Sequence, residues 1–466
     1  MRPTRALPPA LLLAAAILLR GSAVSAGDGP ATPAAAAAPS PGVPGTDYRP
    51  VVTPNGSTLP FKVVDGVKVF HLVAEEVRHE FAPGLVGRCW GYNGQVHGPT
   101  IEAVEGDRVR FYVTNRLPAP TTVHWHGLHV PNGMDGVAGL TQRAIEPGET
   151  FRYEWTLTQH GTFMYHPHHD EMVQMALGMM GMFVVHPRRP TGPLPDRDFV
   201  YLLSEWAMEP GVERPDPNEM TDFNVLTFNA KVFPATAPMV AKRGDRVRIR
   251  IGNLSGMDNH PIHVHGTSFQ VVETDGGVIP DAGRWPETTV LVPTGSTRTI
   301  EWVASNPGDW AVHCHMTHHT MNQMGHGIPN LVGVDQTEFD KAVLDVLAGG
   351  RPTAPGAAPD ISMDMPKNSI SMLGGSGPFG YITMGGMFTV LKVREGITAY
   401  DDPGWYAHPE GSVASPASEA DLSRDGIDPS KPTPPPPGAA PAGTEPAPAP
   451  APAPTAPPPH HHGGAR

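Results

Sequence analysis

Gly106-Asp107-Arg108-Val109-Arg110-Phe111-Tyr112-Val113 reads again as Gly244-Asp245-Arg246-Val247-Arg248-Ile249-Arg250-Ile251. In both copies a Gly-Asp turn opens a run in which Arg or Tyr alternates with Val, Phe or Ile. That period of two belongs to a strand with one face buried. Each copy is followed by a histidine pair and glycine, His124-Trp125-His126-Gly127 against His263-Val264-His265-Gly266. Further on, Gly148, Thr150, Glu154, Trp155, Gly161, His166 and His168 match Gly295, Thr297, Glu301, Trp302, Gly308, His313 and His315 at a constant offset. A repeat on this scale predicts an all-β chain of two domains with one plan, over residues 60–190 and 195–340. The Pro-rich stretch from Pro187 to Pro195 joins them. Short helices are expected only at residues 171–178 and 337–348.

Outside the repeats the composition changes. Residues 1–26 carry Arg2 and Arg5, an apolar run from Ala6 to Leu19 and a small-residue end, Val24-Ser25-Ala26, the pattern of an export signal. The run is too short to span a bilayer. Residues 27–59 form an Ala/Pro-rich linker and residues 411–466 a Pro/Ala-rich tail, and Gly27 to about Thr46 and the tail are expected to be disordered or extended. Residues 341–410 read as a Met-containing extension in which Met363 to Val393 belong to neither repeat and cover the edge of the second-domain site. A formal net charge of −13 argues against nucleic acid or an anionic membrane as partner. The expectation is an exported protein, periplasmic or secreted.

Of 23 histidines, many fall in four short clusters, and there are only two cysteines, Cys89 and Cys314. The two copies differ where the second has His260, Cys314, His319 and Met324 and the first has Thr121, Pro167, Met172 and Leu177. Two imidazoles, a thiolate and a thioether make up the donor set of a blue-copper electron-transfer site. The alternative is a Cys89–Cys314 disulfide beside incidental histidines. Cys314 lies between His313 and His315, and successive side chains of a strand alternate, so the thiol and the two imidazoles face opposite sides. The remaining pairs, His124/His126, His166/His168, His263/His265 and His313/His315, each place two ring nitrogens on one strand face. Imidazoles without carboxylates suit copper or zinc; zinc storage or core packing is the alternative for any one pair.

His124-Trp125-His126-Gly127, Tyr165-His166-Pro167-His168, His260-Pro261-Ile262-His263-Val264-His265-Gly266 and His313-Cys314-His315 with His319 and Met324 resemble, in order, the four copper motifs of multicopper oxidases. The resemblance covers about residues 60–340. It implies two cupredoxin-like Greek-key β-sandwich domains of the small, two-domain laccase type. It also implies four copper ions per functional site. Type 1 copper would sit on His260, Cys314 and His319 with axial Met324, and type 2 on His124 and His263. The type 3 pair would take His126, His166 and His315 on one ion, and His168, His265 and His313 on the other. Asp135, in Asn132-Gly133-Met134-Asp135-Gly136, matches an acidic position of laccases and is the candidate proton relay, a turn residue being the alternative. Asp258 is a second candidate. Gln174 lies six residues after His168 rather than the usual four of the family, as if His169-Asp170-Glu171 held an insertion.

In the small laccases the first domain of one subunit meets the second of its neighbour, which implies a homotrimer. The expected reaction takes electrons singly from a small reductant, a phenol, aromatic amine or low-valent metal ion such as Mn(II) or Cu(I), and passes them to dioxygen. Methionines at 172, 175, 179, 180 and 182, and later at 316, 321, 363, 365, 372, 384 and 387, are Cu(I)-type donors or core filler. A copper nitrite reductase is the competing enzyme class, though that family carries type 1 copper in its first domain and lacks the type 3 pair. A non-enzymatic copper-storage or resistance protein is the third reading.

Overall fold

The alternating run becomes the strand Arg108–Asn115, with Val109, Phe111 and Val113 buried and Arg108 exposed. It pairs in parallel with Val67–Ala82 and antiparallel with Thr150–Thr156. A three-stranded sheet of Ile101–Val104, Gly181–His186 and Gly161–Tyr165 faces it. Phe70, Phe111, Trp125, Trp155 and Phe183 fill the space between the two sheets. The Trp125 ring lies 4.3 Å from that of Phe111 and 5.0 Å from that of Trp155. Burying side chains of this size contributes about 1.5–3 kcal/mol each, so the residue between His124 and His126 anchors both histidines to the core. The computed structural model describes residues 39–209, 211–323, 368, 370, 372 and 374–431. The expected export signal, the helix expected at 337–348, Met324, Met363, Met365 and His460 to His462 lie outside the described residues.

The second repeat builds the same sandwich. Arg246–Asn253 lies between Arg197–Trp206, in parallel, and Ser296–Val303, antiparallel. The facing sheet runs Met239–Lys242, Phe388–Arg394, Gly308–Cys314, His260–Val264 and Thr289–Val292. The second domain therefore does not end at residue 340, and Met363 to Val393 is not wholly outside the repeats. Phe388–Arg394 pairs in parallel with Met239–Lys242 and antiparallel with Gly308–Cys314. Gly181–His186 stands in the same place in the first domain, parallel to Ile101–Val104 and antiparallel to Gly161–Tyr165. The sandwich needs that strand to close its core, and the chain supplies it after a much longer excursion. Beyond it, Tyr400 stacks on the Arg197 guanidinium at 4.0 Å and Arg394 bonds Asp309 at 2.6 Å.

The two sandwiches are joined by buried polar contacts. Arg250 grips Asp198 with two hydrogen bonds of 2.9 and 3.0 Å, and its third nitrogen donates to Glu273 at 3.1 Å and to Thr162 of the first domain at 2.8 Å. Thr162 and Thr299 also donate to Glu273, at 3.0 and 2.8 Å. This explains why Arg248-Ile249-Arg250 does not alternate cleanly in burial: the outward face of the second copy is covered by the first domain.

Cys89 and Cys314 are both free and buried, in separate core clusters, so the disulfide alternative falls away. The helix expected near residues 171–178 runs Glu171–Ala176. The chain divides after Tyr406, and the unit beginning at Ala407 departs from the expected disorder with a short helix, Glu419–Arg424. Ser418 caps it by accepting from the Asp421 amide at 3.1 Å, a local signal within a Pro-rich tail.

Candidate metal centre

His260 opens its strand, Cys314 closes the antiparallel neighbour, and His319 follows in the turn Thr317–Thr320. Ile262 pairs with Cys314 across the sheet, which brings His260 and the thiol together. Sγ of Cys314 lies 3.7 Å from His260 Nδ1 and 3.5 Å from His319 Nδ1, and the two nitrogens are 3.1 Å apart. An ion about 2.0–2.3 Å from three ligands in a plane holds them about 3.5–4.0 Å apart, so the triangle fits one metal ion with little movement. All three side chains are buried. Burial pushes the bare Cys314 thiol up to about 12 and His260 down to about 3. A cation between them offsets the cost of the buried thiolate.

The outer nitrogens are held as well. His260 Nε2 faces Ser255 Oγ at 2.7 Å, and His319 Nε2 faces Asp258 Oδ2 at 3.4 Å. Glu205, buried on the strand Arg197–Trp206 of the other sheet, fixes the loop carrying both partners by accepting from the amides of Met257, at 2.5 Å, and Asp258, at 3.3 Å. The equivalent space in the first domain is plugged. Thr121 donates to Gln174 at 2.6 Å and Gln174 to the Pro120 carbonyl at 2.8 Å, with Leu177 buried alongside. Ser255 and Glu205 were not identified from the sequence and Gln174 was singled out only for its spacing, because their roles depend on contacts between distant segments.

The His-x-His pairs assemble into two quartets. In the first domain the bridge between His124 and His166 brings His126 Nδ1 to 3.2 Å from His166 Nε2, and His168 lies 5.6 Å, ring to ring, from His124. In the second domain His263 pairs with His313, His265 Nε2 lies 3.1 Å from His313 Nε2, and the His315 ring is 5.4 Å from that of His263. The glycines ending the first and third motifs, Gly127 and Gly266, have φ of +83° and +73°. A Cβ on Gly266 would sit 2.5 Å from the Trp310 ring. Only glycine fits both demands.

Backbone carbonyls set several tautomers. His166 Nδ1 donates to Pro167 at 2.9 Å and His313 Nδ1 to Cys314 at 2.8 Å, the same bond at matching positions of the repeat. His124 Nδ1 donates to the Asp135 carbonyl at 2.8 Å, with the Asp135 carboxylate 3.6 Å away. Each such bond leaves the other ring nitrogen free for a metal. Burial pushes His166 down to about 3, which keeps it neutral.

Cys314 thus points into its own domain core, while His313 and His315 join the other ligands on the opposite side. Among the described residues no ring contact joins one quartet to the other. The first-domain quartet opens on a cavity of about 740 Å³ lined by Ser255, Met257 and Gly295 of the second domain but by none of that domain's quartet. His126 Nε2 donates to the Gly295 carbonyl at 2.9 Å. Asp258 touches the thiolate triangle and lines neither quartet.

Two sequence profiles, each described as Multicopper oxidase, match residues 74–190 and 209–332, together just over half of the chain. Copper resistance protein A of Pseudomonas syringae pv. tomato is 39% identical over 248 residues, which are 42% of this chain and 40% of that protein. A blue copper oxidase from Nitrosomonas europaea superposes with a TM-score of 0.51 at 28% identity, over 70% of this chain and 85% of that one. The multicopper oxidase mgLAC does so with a TM-score of 0.52 at 28% identity, over 74% and 91%. The chain spans less than half the length of the curated relatives it matches. Both repeats match one family in the order in which the histidine motifs run: the chain belongs to the multicopper oxidase family, and copper is the cofactor that membership implies.

Proposed function

We propose that this chain is a laccase-like oxidase that takes electrons singly from a small reductant and uses them to reduce dioxygen to water. The observation that carries the reading is the placement of Cys314. Its sulfur completes a triangle with His260 and His319, while its sequence neighbours His313 and His315 stand in a histidine quartet. One peptide segment therefore links an electron-accepting site to a second metal site. Bound copper supplies one-electron redox chemistry at the triangle and, through three further ions held by the eight paired histidines, the capacity to give dioxygen four electrons. The residues do the rest. His260, Cys314 and His319 would hold the type 1 ion, with Met324 the thioether that the sequence resemblance adds to them, and His124 and His263 would share the type 2 ion. His126, His166 and His315 hold one type 3 ion, and His168, His265 and His313 the other. Asp135 beside His124 is the proton relay.

Completing the eight-histidine site then requires a second copy. Among the described residues no ring contact joins the two quartets of one chain, and a partner's second domain would bring its quartet to the cavity faced by the first; ring closure of that contact gives a trimer. The reductant is a phenol, an aromatic amine or a low-valent metal ion such as Mn(II) or Cu(I). Residues 1–26 direct export to the periplasm or beyond; no helix among the described residues is long and apolar enough to cross a membrane.

The shared site is tested by mixing subunits. His166→Ala and His313→Ala chains are each expected to be inactive in oxygen uptake with a phenol, and their mixed oligomers to regain activity, because some interfaces then carry two unmutated quartets. Mixed oligomers, verified by mass, that stay inactive would place the whole site within one chain. Nitrite offered in place of dioxygen should accept no electrons.

A further inference from the structure

His169-Asp170-Glu171, which follow the second histidine motif, have a structural consequence beyond the helix that Glu171 starts. Asp170 adopts the left-handed conformation, φ +47° and ψ +48°, and Glu171 begins the helix Glu171–Ala176. Aspartate is one of the few side chains that tolerate this backbone. The turn sends the Glu171 carboxylate back toward the histidines. Oε1 lies 3.4 Å from His166 Nδ1 and Oε2 lies 3.6 Å from His168 Nε2. One side chain thus reaches two imidazoles of the quartet, and it lines the same cavity.

We infer that Glu171 is a positioning residue of the paired-histidine metal site, orienting His166 and His168 of the first-domain quartet and placing a negative charge beside the ions they help to hold. The inference rests on the copper-binding role proposed for that quartet. Ligand imidazoles depend on the group at their outer nitrogen, and an acceptor there fixes the ring and raises its basicity. The His166 Nδ1 proton already meets the Pro167 carbonyl; the carboxylate adds a full charge on the same side. Neutral imidazoles leave the charge of a bound cation uncompensated, so a carboxylate in contact with two of them stabilises the loaded site. A purely local role is the competing account, because an acid in the first turn of a helix complements its dipole.

Glu171→Gln and Glu171→Asp separate the two. Aspartate keeps the charge at the helix start but stops one methylene short of the rings. The measurement is copper retained per chain, in the full oligomer, against a graded chelator. Blue absorption and thermal unfolding report on the second-domain site and the fold. Both variants are expected to lose about 10–100-fold in affinity for the copper held by the paired histidines, with the blue band unchanged. Wild-type affinity in both variants, or in Glu171→Asp alone, would overturn the inference. Copper retention that is indifferent to His166→Ala would instead overturn the proposed role of the quartet, and this inference with it.

Discussion

Ser255→Ala is a one-atom test of how the buried triangle holds its metal. Ser255 Oγ lies 2.7 Å from His260 Nε2, and both side chains are buried. In the metal-free variant the proton of His260 can move to Nδ1, toward the sulfur and His319, so the lost acceptor costs little. Once Nδ1 is committed to a metal, the proton must sit on Nε2 and face a methyl group. A buried donor without a partner costs about 1–3 kcal/mol, and at about 1.4 kcal/mol per factor of ten that is roughly a 5- to 150-fold loss. Outer-ligand substitutions elsewhere cost about 10–100-fold, the same range. Copper titration of the blue absorption against a competing chelator reads it directly. Ser255→Thr, which keeps the hydroxyl, should restore most of the affinity. An alanine variant within threefold of wild type would show that the bond does not set the tautomer.

Glu205 tests a pH dependence. Burial first, and then the nearby Asp258 charge, raise its carboxyl well above the usual carboxylate range. The folded protein therefore holds a proton that the unfolded chain releases, and the group's stabilising contribution falls as pH rises above the ordinary value of about 4.5. Glu205→Gln keeps an acceptor for the Met257 amide, so urea unfolding should show it gaining on wild type from pH 5 to 8; parallel curves would refute the shift. Arg250→Met leaves Asp198 and Glu273 buried without their cation and should cost about 3–5 kcal/mol in unfolding free energy, whereas a loss below about 1 kcal/mol would mean that the network contributes little to the domain interface.

How much the sequence revealed follows from how local each signal is. The strand Arg108–Asn115 was legible because its alternation is complete, and the second sandwich because it repeats the first. His313-Cys314-His315 announced its two-sided geometry through strand periodicity alone. Phe388–Arg394 was not legible as a core strand: it is buried throughout, a short run without a period, and its partners at Met239–Lys242 and Gly308–Cys314 are set by distant pairing. Glu171 was visible only as part of an irregular spacing. Its reach to His166 and His168 depends on the left-handed turn at Asp170, which no residue pattern specifies.

The most direct test of the central claim, that a buried thiolate site feeds electrons to the paired histidines, is Cys314→Ser measured for copper content, blue absorption and oxygen uptake in one sample. A hydroxyl cannot replace the soft thiolate, so the account predicts one copper fewer per chain, no blue band and no oxygen uptake, with the remaining copper retained. A Cys314→Ser protein that stays blue, or that consumes oxygen at the wild-type rate, would contradict it.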